Sequence, residues 1–336
     1  MSQRAYMPRF GKISEDVLNR YVLRFVGKRR SDVLLPPRYG EDAGVVRAGS
    51  SKIVVAIDPI TGSHELLGWL SVHINANDVA VCGAMPRWFS SCILLPRNAT
   101  ISNIKTITKQ IHRAAKSLAV AVVTGHTEVA PYIKAPIVIG HMTGTLLTRK
   151  IITSSGARPG DYILMSKTAG IEGTAILAND FEEELKKRGT PKSIINNAKR
   201  YYRYISVVRE AVWLTKHAAV TSMHDPTEGG IIGGLYELSK ASKCGFKVWR
   251  EMIPISDTTE KICRNLKIDP LRLISSGVLL ATVKKIDTRA LSRVNARIIG
   301  RVVEERLGRW IIDKSGGIKI DEPVTDELWR IINQNS

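Results

Sequence analysis

One segment determines the architecture: Asn77-Asp78-Val79-Ala80-Val81-Cys82-Gly83-Ala84-Met85-Pro86. Four apolar residues precede it at helical spacing: Leu66, Leu67, Leu70 and Ile74. This pattern predicts an apolar helix that carries Asp78 near its end and stops before Pro86, since proline cannot continue a helix. An acid in such a helix needs a partner, because an unpaired buried carboxylate is costly or takes up a proton. A divalent cation that accompanies a polyphosphate is one such partner.

Length and composition indicate a two-domain globular protein. The chain has 336 residues, of which 44% are hydrophobic, enough for a sizeable core. We place the domain boundary near Arg149, which gives domains at 1–149 and 150–336. No apolar run approaches the ~20 residues that cross a bilayer, and Met1 to Lys12 contains no apolar signal core. These observations predict a cytoplasmic protein without a membrane partner.

The net charge of +19 is the unusual feature of the composition. A basic chain can attract nucleic acid, a nucleotide or an acidic partner. The basic residues are dispersed, however, and no aromatic-basic RNA-binding signature accompanies them, which favours solvated charged faces over a nucleic-acid partner. The four cysteines form no C-x-x-C pair, so the pattern predicts reduced thiols and neither a zinc site nor a disulfide framework.

Strands and helices alternate along both halves, which predicts an α/β or α+β fold. In the first half, Ile53 to Ile57 predicts a buried strand with Asp58 at its tip, and Ala119 to Val123 a strand that runs into a loop. Ser102 is the expected cap of a helix between them, and Ser14 the cap of a helix that reaches about Phe25. The second half predicts a long basic helix from about 191 to 216, then a strand that ends at His224-Asp225.

Three acids occupy positions where a scaffold displays reactive groups. Asp42 lies in a glycine-flanked turn, Asp58 at a strand end and Asp78 at a helix end. Mg²⁺ prefers one or two carboxylates together with phosphate oxygens, so converging aspartates suit a magnesium–nucleotide site. Taken singly, each aspartate is more typical of a cap or a turn.

Two further segments carry polar groups beside glycines. In Thr124-Gly125-His126-Thr127-Glu128, the glycine permits close approach to a ligand, although a single histidine is more often a structural hydrogen-bond partner. The segment from His224 to Gly230 offers amides at a helix N-terminus, which suits a phosphate but equally an ordinary capped helix.

Together these segments resemble the aminoimidazole-ribonucleotide-synthetase (PurM-like) ATP-binding superfamily. Asp78 to Pro86 fits its signature D-x4-G-A-x-P, and Thr124 to Glu128 occupies the place of its second nucleotide loop. Four other segments add to the resemblance. Residues 40–43 resemble the first acidic turn of the HypE and thiamine-phosphate-kinase branches, and 157–161 the opening of the superfamily's C-terminal domain, while 170–177 and 224–230 are most similar to HypE.

The resemblance implies a two-domain PurM-like fold, in which the N-terminal sheet domain dimerises through a shared barrel and an α/β domain follows. It implies Mg²⁺ and ATP as cofactors, and activation of an amide-type or related oxygen on a small-molecule or protein-borne substrate. By carry-over, Asp42, Asp58 and Asp78 are the metal ligands, and Asp78, His126 and Asp225 the catalytic residues. The expected nucleotide-binding residues are Asn77, Gly125, His126, Thr127, Glu128 and His224.

Two departures qualify the HypE resemblance. HypE ends in Pro-Arg-Ile-Cys, whereas this sequence ends in residues 329–336 without a cysteine, so we expect HypE's own reaction not to carry over. His126 also stands where HypE and thiamine-monophosphate kinase have an aspartate. The alternatives are a small-molecule kinase like thiamine-monophosphate kinase, and a non-catalytic paralogue that binds nucleotide or nucleic acid.

Overall fold

The computed structural model describes residues 11–335, in which two mixed sheets are each covered by helices. Residues 1–10, used above in the prediction of localisation, lie outside the described range. The first half contains α1 (Glu15–Tyr21), β1 (Val33–Leu35), β2 (Gly44–Ala48), β3 (Ser51–Ile60), α2 (Leu67–Val81), β4 (Ala84–Leu95), α3 (Ile101–Ser117), β5 (Ala121–Val129) and β6 (Ile137–Leu146).

The second half contains seven strands and eight helices of the described chain. They are β7 (Tyr162–Ser166), α4 (Ile171–Asp180), α5 (Glu182–Lys187), α6 (Lys192–Ala198), α7 (Val208–His217), β8 (Val220–His224), α8 (Gly230–Ser242), β9 (Gly245–Trp249), α9 (Asp257–Leu266), β10 (Leu280–Val283), α10 (Thr288–Arg293), β11 (Ala296–Val303), β12 (Arg309–Asp313), β13 (Gly316–Lys319) and α11 (Glu327–Asn335). Within residues 11–335, no helix combines the length and apolar character that a bilayer crossing requires.

The first sheet has the strand order β1-β2-β3-β6-β4-β5, and the second β13-β12-β9-β11-β7-β10-β8. Strands of the first sheet come from residues 33–146 and those of the second from 162–319. The predicted α/β two-domain fold is therefore confirmed, while the boundary at Arg149 stays a prediction. A left-handed residue, Gly83 (φ 81°), makes the predicted turn between α2 and β4.

Helix α2 is the centre of the first domain and is buried on nearly all sides. It packs on β3, β4 and β6, and contacts α3 and α7. Its Asn75 side chain accepts a hydrogen bond from the Asp58 amide (2.9 Å) and donates to the Ser71 carbonyl (2.9 Å). This amide fixes β3 against the helix one turn before Asp78.

A glycine makes this close packing possible. Gly140 of β6 pairs with Asp58, and a Cβ atom there would lie 2.4 Å from Asn75 Nδ2. The same row of the sheet continues through Ser91 of β4 to Gly125 of β5.

The structure corrects four local predictions. Asp58 lies inside β3 rather than at its tip, because β3 runs on to Ile60. The predicted loop Thr124–Glu128 is extended strand, since it pairs with β4 as far as Val129. The helix expected from Ser102 is capped by Thr100, whose hydroxyl accepts from the Asn103 amide. The helix expected to reach Phe25 ends at Tyr21.

The long helix predicted over 191–216 is wrong, because the segment divides into α6, a 3-10 turn (Lys199–Tyr204) and α7. Asn77 accounts for the interruption. Its side chain donates to the Ile205 carbonyl (2.9 Å) and accepts from the Val207 amide (2.8 Å), so these backbone groups bond to α2 instead of continuing a helix. The same contact joins the two domains.

Candidate active site at the contact between the two domains

Four aspartates from separate elements converge where the two domains meet. Asp42 lies in the turn before β2, Asp58 in β3, Asp78 in the last turn of α2, and Asp225 directly after β8. Burial raises the pKa of Asp78 well above its usual range, and the nearby carboxylates of the other three add to that shift. The structure therefore places Asp42, Asp58 and Asp78 near one another, with Asp225 as a fourth acid, while their assignment as metal ligands stays a prediction.

The cluster has more negative charge than the protein compensates. Burial raises the pKa of Asp58 to about 6; the Lys12 ammonium opposes the shift and the Asp42 carboxylate adds to it. Burial and the charge of Asp42 also raise the pKa of Asp225. Both carboxylate oxygens of Asp225 are buried without a hydrogen-bond partner among the described residues. Because buried polar atoms are normally paired, the arrangement fits a cation as the missing partner.

His224 holds Asp42 in place. Its Nδ1 lies 2.8 Å from Asp42 Oδ1, and its Nε2 lies 3.2 Å from Glu237 Oε2. Burial alone would lower the pKa of His224, but these two carboxylates raise it to about 10. The imidazolium therefore donates from both nitrogens and has no lone pair left for a metal.

The donor set suits a hard divalent cation. One ligand atom each from Asp42, His224 and Asp225 lies within 4.8 Å of the others. Since both histidine nitrogens lie against carboxylates, the oxygens of Asp42 and Asp225 are the donors that remain for a cation, and His224 positions Asp42. Oxygen-only ligands are the chemistry that Mg²⁺ prefers.

A cavity of about 690 Å³ opens beside the cluster. Its lining includes Lys12, Asp58 and Glu228, the apolar side chains of Leu70 and Phe181, and Trp329 of α11. Lys12 Nζ lies 2.9 Å from Glu237 Oε1, and its side chain keeps 49% exposure. The cavity therefore combines charged and apolar lining residues.

The predicted nucleotide strand lies elsewhere in the same chain. Gly125 is in the row of Asp58 but three strands away, roughly 14 Å at the usual strand spacing. His126 and Glu128 project from the opposite face, because successive strand residues alternate. They pair with each other at 3.2 Å in the exposed strand, where Thr127 is exposed too. One chain therefore does not bring 125–128 to the aspartates.

Asn77 is close to the cluster in sequence, but both ends of its amide bond to backbone of the second domain. The role of Asn77 as a nucleotide ligand stays a prediction. In the structure, its side chain joins the two domains.

Sequence reasoning missed four residues at the site: Glu237, which contacts His224, and three residues that line the cavity, Lys12, Glu172 and Ser276. Glu237 follows His224 by thirteen positions on α8, a spacing that no motif marks. Glu172 is part of the segment 170–177 singled out above, but its side-chain position gave no signal. Lys12 belongs to a basic N-terminal segment in which nothing distinguishes one cation from the next.

Comparison with known proteins follows the same two-domain division. The description "AIR synthase related protein, N-terminal domain" matches residues 40–146, and "AIR synthase related protein, C-terminal domain" matches residues 158–313. A hydrogenase expression/formation protein of Methanocaldococcus jannaschii is 29% identical over 308 residues, covering 87% of this chain and 88% of the relative. Carbamoyl dehydratase HypE of Cupriavidus necator is 29% identical over 311 residues, covering 86% and 85%.

Solved structures agree with the fold. HypE in a HypE–HypF complex superposes with a TM-score of 0.69 at 25% identity, covering 84% of this chain and 93% of that one. HypE in complex with ATP gives a TM-score of 0.69 at 22% identity, covering 93% and 96%. The predicted PurM-like resemblance and its HypE-like character are thereby confirmed.

Proposed function

Because the chain belongs to the AIR synthase-related family of enzymes, we propose that it uses Mg²⁺ and ATP to phosphorylate an amide-type or related oxygen of its substrate. The single observation that carries the proposal is the group of four aspartates, two of them buried and two half-buried, in which Asp225 has two oxygens without a hydrogen-bond partner among the described residues. Cations and their anionic ligands would stabilise the ionised form of such a group. The ATP complex of a HypE of the same fold supports ATP as that ligand.

The proposed role of each residue follows from its position in the site. Asp42, Asp58, Asp78 and Asp225 are proposed to hold Mg²⁺, which when bound neutralises charge on a transferring phosphoryl group. His224 keeps Asp42 oriented through the 2.8 Å contact. Lys12 lines the cavity beside Asp58 and offers an ammonium donor to a phosphate, since only part of its hydrogen-bonding capacity is used by Glu237.

We propose that two copies associate through the open side of the first sheet. Helices α2 and α3 cover one face, whereas Ile57 on the other is 64% exposed. The edge strand β5 is exposed throughout and carries Val122, Val123 and Val129. An uncovered apolar edge is a natural pairing surface. His126 and Glu128 of one copy could then reach the aspartates only of the other.

Calorimetric titration of a non-hydrolysable ATP analogue, with and without Mg²⁺, tests the proposal. Wild type is expected to bind only with Mg²⁺, and Asp225→Asn is expected to lose at least about 100-fold in affinity. Asp16→Asn, on the exposed side of α1, is the matched control. Equal binding to wild type and Asp225→Asn would show that the aspartates are not the nucleotide site.

The product separates the proposal from the kinase alternative. Transfer to an amide-type oxygen leads to release of inorganic phosphate once the activated group reacts, whereas a kinase leaves a stable phosphate ester on its substrate. Phosphate release and phosphorus NMR on the same reaction distinguish the two. A protein with neither Mg-ATP binding nor turnover would support the non-catalytic alternative.

A further inference from the structure

In the described chain, one face of the second sheet is only partly covered. Strand register aligns five residues in one row across β13, β12, β9, β11 and β7: Lys319, Trp310, Lys247, Arg301 and Tyr162. Residues paired across a sheet project from the same face, so these side chains share a surface. Lys247 and Lys319 are exposed, whereas Val283 and Val220, which continue the row on β10 and β8, are buried.

Two helices account for the difference between the two ends of this face. Leu214 of α7 and Ala290 of α10 line one small cavity with a residue of β10, so these helices cover the β10 end. Strand β9 shows that the other end is open, because Val248 is buried while Lys247 and Trp249 on either side of it are exposed. Successive strand residues alternate between faces. The open surface therefore lies over β11, β9, β12 and β13, on the side away from the core.

Two tryptophans belong to the open surface. Trp249 is 37% exposed and lies in the row next to that of Trp310. A Cβ atom on Gly317 would lie 3.0 Å from the indole of Trp310, and one on Gly308 would lie 3.1 Å from it. Glycine at both positions leaves room for the indole to lie against the sheet. The indole Nε1 donates to the Leu307 carbonyl (2.9 Å), which fixes the ring.

The charge of the open surface is positive. The Arg301 guanidinium lies 3.3 Å from the centroid of the Tyr162 ring and donates to the Gly160 carbonyl (2.8 Å), so it is held in place with donors to spare. No acidic residue occupies either of the two rows. Asp321 lies 3.2 Å from Lys319, but both side chains are exposed, and such surface pairs are weak.

We propose that this surface binds single-stranded nucleic acid. We call it the open sheet face and define it by five side chains: Lys247, Trp249, Arg301, Trp310 and Lys319. The cations suit phosphates, and the indoles between them suit unstacked bases. Lys319 and Arg301 are three strands apart, roughly 14 Å at the usual strand spacing, which leaves room for more than one nucleotide. The proposal is independent of the proposed function, because none of these residues belongs to the candidate active site.

A single strand fits the open sheet face better than a duplex or an acidic protein. A duplex keeps its bases stacked on one another, so the indoles would gain no stacking partner. An acidic protein segment would need apolar groups placed at both indoles, whereas every base supplies an aromatic face. The net charge of +19 favours the approach of a polyanion. The linear sequence shows no basic-aromatic signature because these residues come from four different strands.

Fluorescence anisotropy of labelled probes tests the proposal on the full chain. The probes are oligothymidylate and oligouridylate of about 12 nucleotides, a duplex of the same length and a polyglutamate peptide. Wild type is expected to bind both single strands about fivefold more tightly than the duplex or the peptide. Three phosphate contacts predict a log–log salt slope of about −2. The tighter of the two single strands identifies RNA or DNA as the natural ligand, whereas tighter binding of the duplex or the peptide overturns the proposal.

Variants assign the binding to the open sheet face. Trp249→Ala is expected to weaken single-strand binding about tenfold without changing the salt slope. Lys247→Gln is expected to weaken it about threefold and to reduce the slope by about 0.7. The matched controls are Tyr132→Ala, at a side chain that is 96% exposed, and Lys109→Gln on the exposed side of α3, and neither should change affinity. Wild-type affinity in both Trp249→Ala and Lys247→Gln overturns the proposal, and Lys247→Gln keeps this test if Trp249→Ala fails to fold.

Mg-ATP binding is measured on the same samples to keep the two claims apart. Trp249→Ala and Lys247→Gln are expected to bind Mg-ATP as wild type does while they lose affinity for the single strands. Equal losses of both ligands in both variants would point to damage of the whole fold and contradict the open sheet face. Single-strand binding by a wild type that does not bind Mg-ATP would contradict the proposed function and support the open sheet face.

Discussion

The aspartate cluster and strand β5 both resemble nucleotide-binding segments in sequence, yet the fold treats them in opposite ways. Burial and neighbouring carboxylates raise the pKa of both Asp78 and Asp225, whereas His126 and Glu128 lie on an exposed strand and pair only with each other in the described chain. Burial makes the ionised carboxylates of the cluster costly, so they take up protons or gain from a cation. The exposed edge strand β5 instead presents unpaired backbone groups, which another strand could pair with.

The largest expected effect on ligand binding comes from a substitution in the buried aspartate cluster. Asp78→Asn removes one metal-binding carboxylate and should weaken Mg-dependent binding of the ATP analogue at least about 100-fold. Because burial and its acidic neighbours already favour the neutral form of Asp78, the metal-free variant should unfold within a few degrees of wild type. Calorimetry and thermal unfolding with and without Mg²⁺ measure the two quantities.

His126→Asn is the counterpart on the exposed strand. It is expected to change Mg-ATP affinity far less than Asp78→Asn does. Equal losses in the two variants would place both regions in one nucleotide site and remove the contrast.

Alanine substitutions at two glycines of the first sheet compare the stability of its packed centre with that of its exposed edge. Gly140→Ala should destabilise the protein by about 2–3 kcal/mol, since its Cβ atom would overlap Asn75 in the packed core. Gly125→Ala lies in the same row, with Ser91 O 2.9 Å from the added atom, but the edge strand can shift away. Its expected cost is below about 1 kcal/mol. Urea unfolding of both variants measures the difference, and equal costs would contradict the view of β5 as a free edge.

The sequence predicted the acidic residues of the candidate site better than the residues that surround them in the fold. Asp42, Asp58 and Asp78 were found because glycines, an apolar strand and an apolar helix flank them in the local pattern. Glu237 and Ser276 could not be found, because tertiary packing brings Glu237 to His224 and Ser276 to the cavity, and no short-range spacing encodes either position.

The same limit explains the errors in secondary structure. The basic stretch 191–216 has the composition of a helix, but Asn77 binds the backbone at Ile205 and Val207 and interrupts it. Glycine and polar residues at 124–128 suggested a loop, whereas pairing with β4 keeps the backbone extended. In both cases a tertiary hydrogen bond decided against local preference.

A pH titration of stability compares Glu172, which is buried in the cavity lining, with Glu128 on the exposed strand β5. The pKa of Glu172 rises from 4.5 to about 7 in the folded protein, mainly through burial. As pH increases through that window, the unfolded chain releases its proton first, so the free energy of unfolding falls and then levels off. Glu172→Gln should remove about 3 kcal/mol of that decrease.

The measurement is urea unfolding at intervals between pH 4 and 8, with Glu128→Gln as the exposed counterpart. A decrease that persists unchanged in Glu172→Gln would assign it to other groups. A similar change in both variants would show that burial of Glu172 does not cause the decrease in the free energy of unfolding.

The smallest expected effect concerns the edge strand itself. Val123→Glu places a charge on β5, where the side chain is 56% exposed in one chain, and should weaken self-association at least about tenfold. Ile318→Glu is the matched control, because Ile318 is 57% exposed on β13, the edge of the second sheet. Sedimentation equilibrium measures both. If Val123→Glu also weakens Mg-ATP binding, His126 and Glu128 act at the aspartates of a second copy; if association alone changes, β5 is an interface and the aspartates bind nucleotide within one chain. Self-association that survives Val123→Glu would contradict the proposed pairing surface.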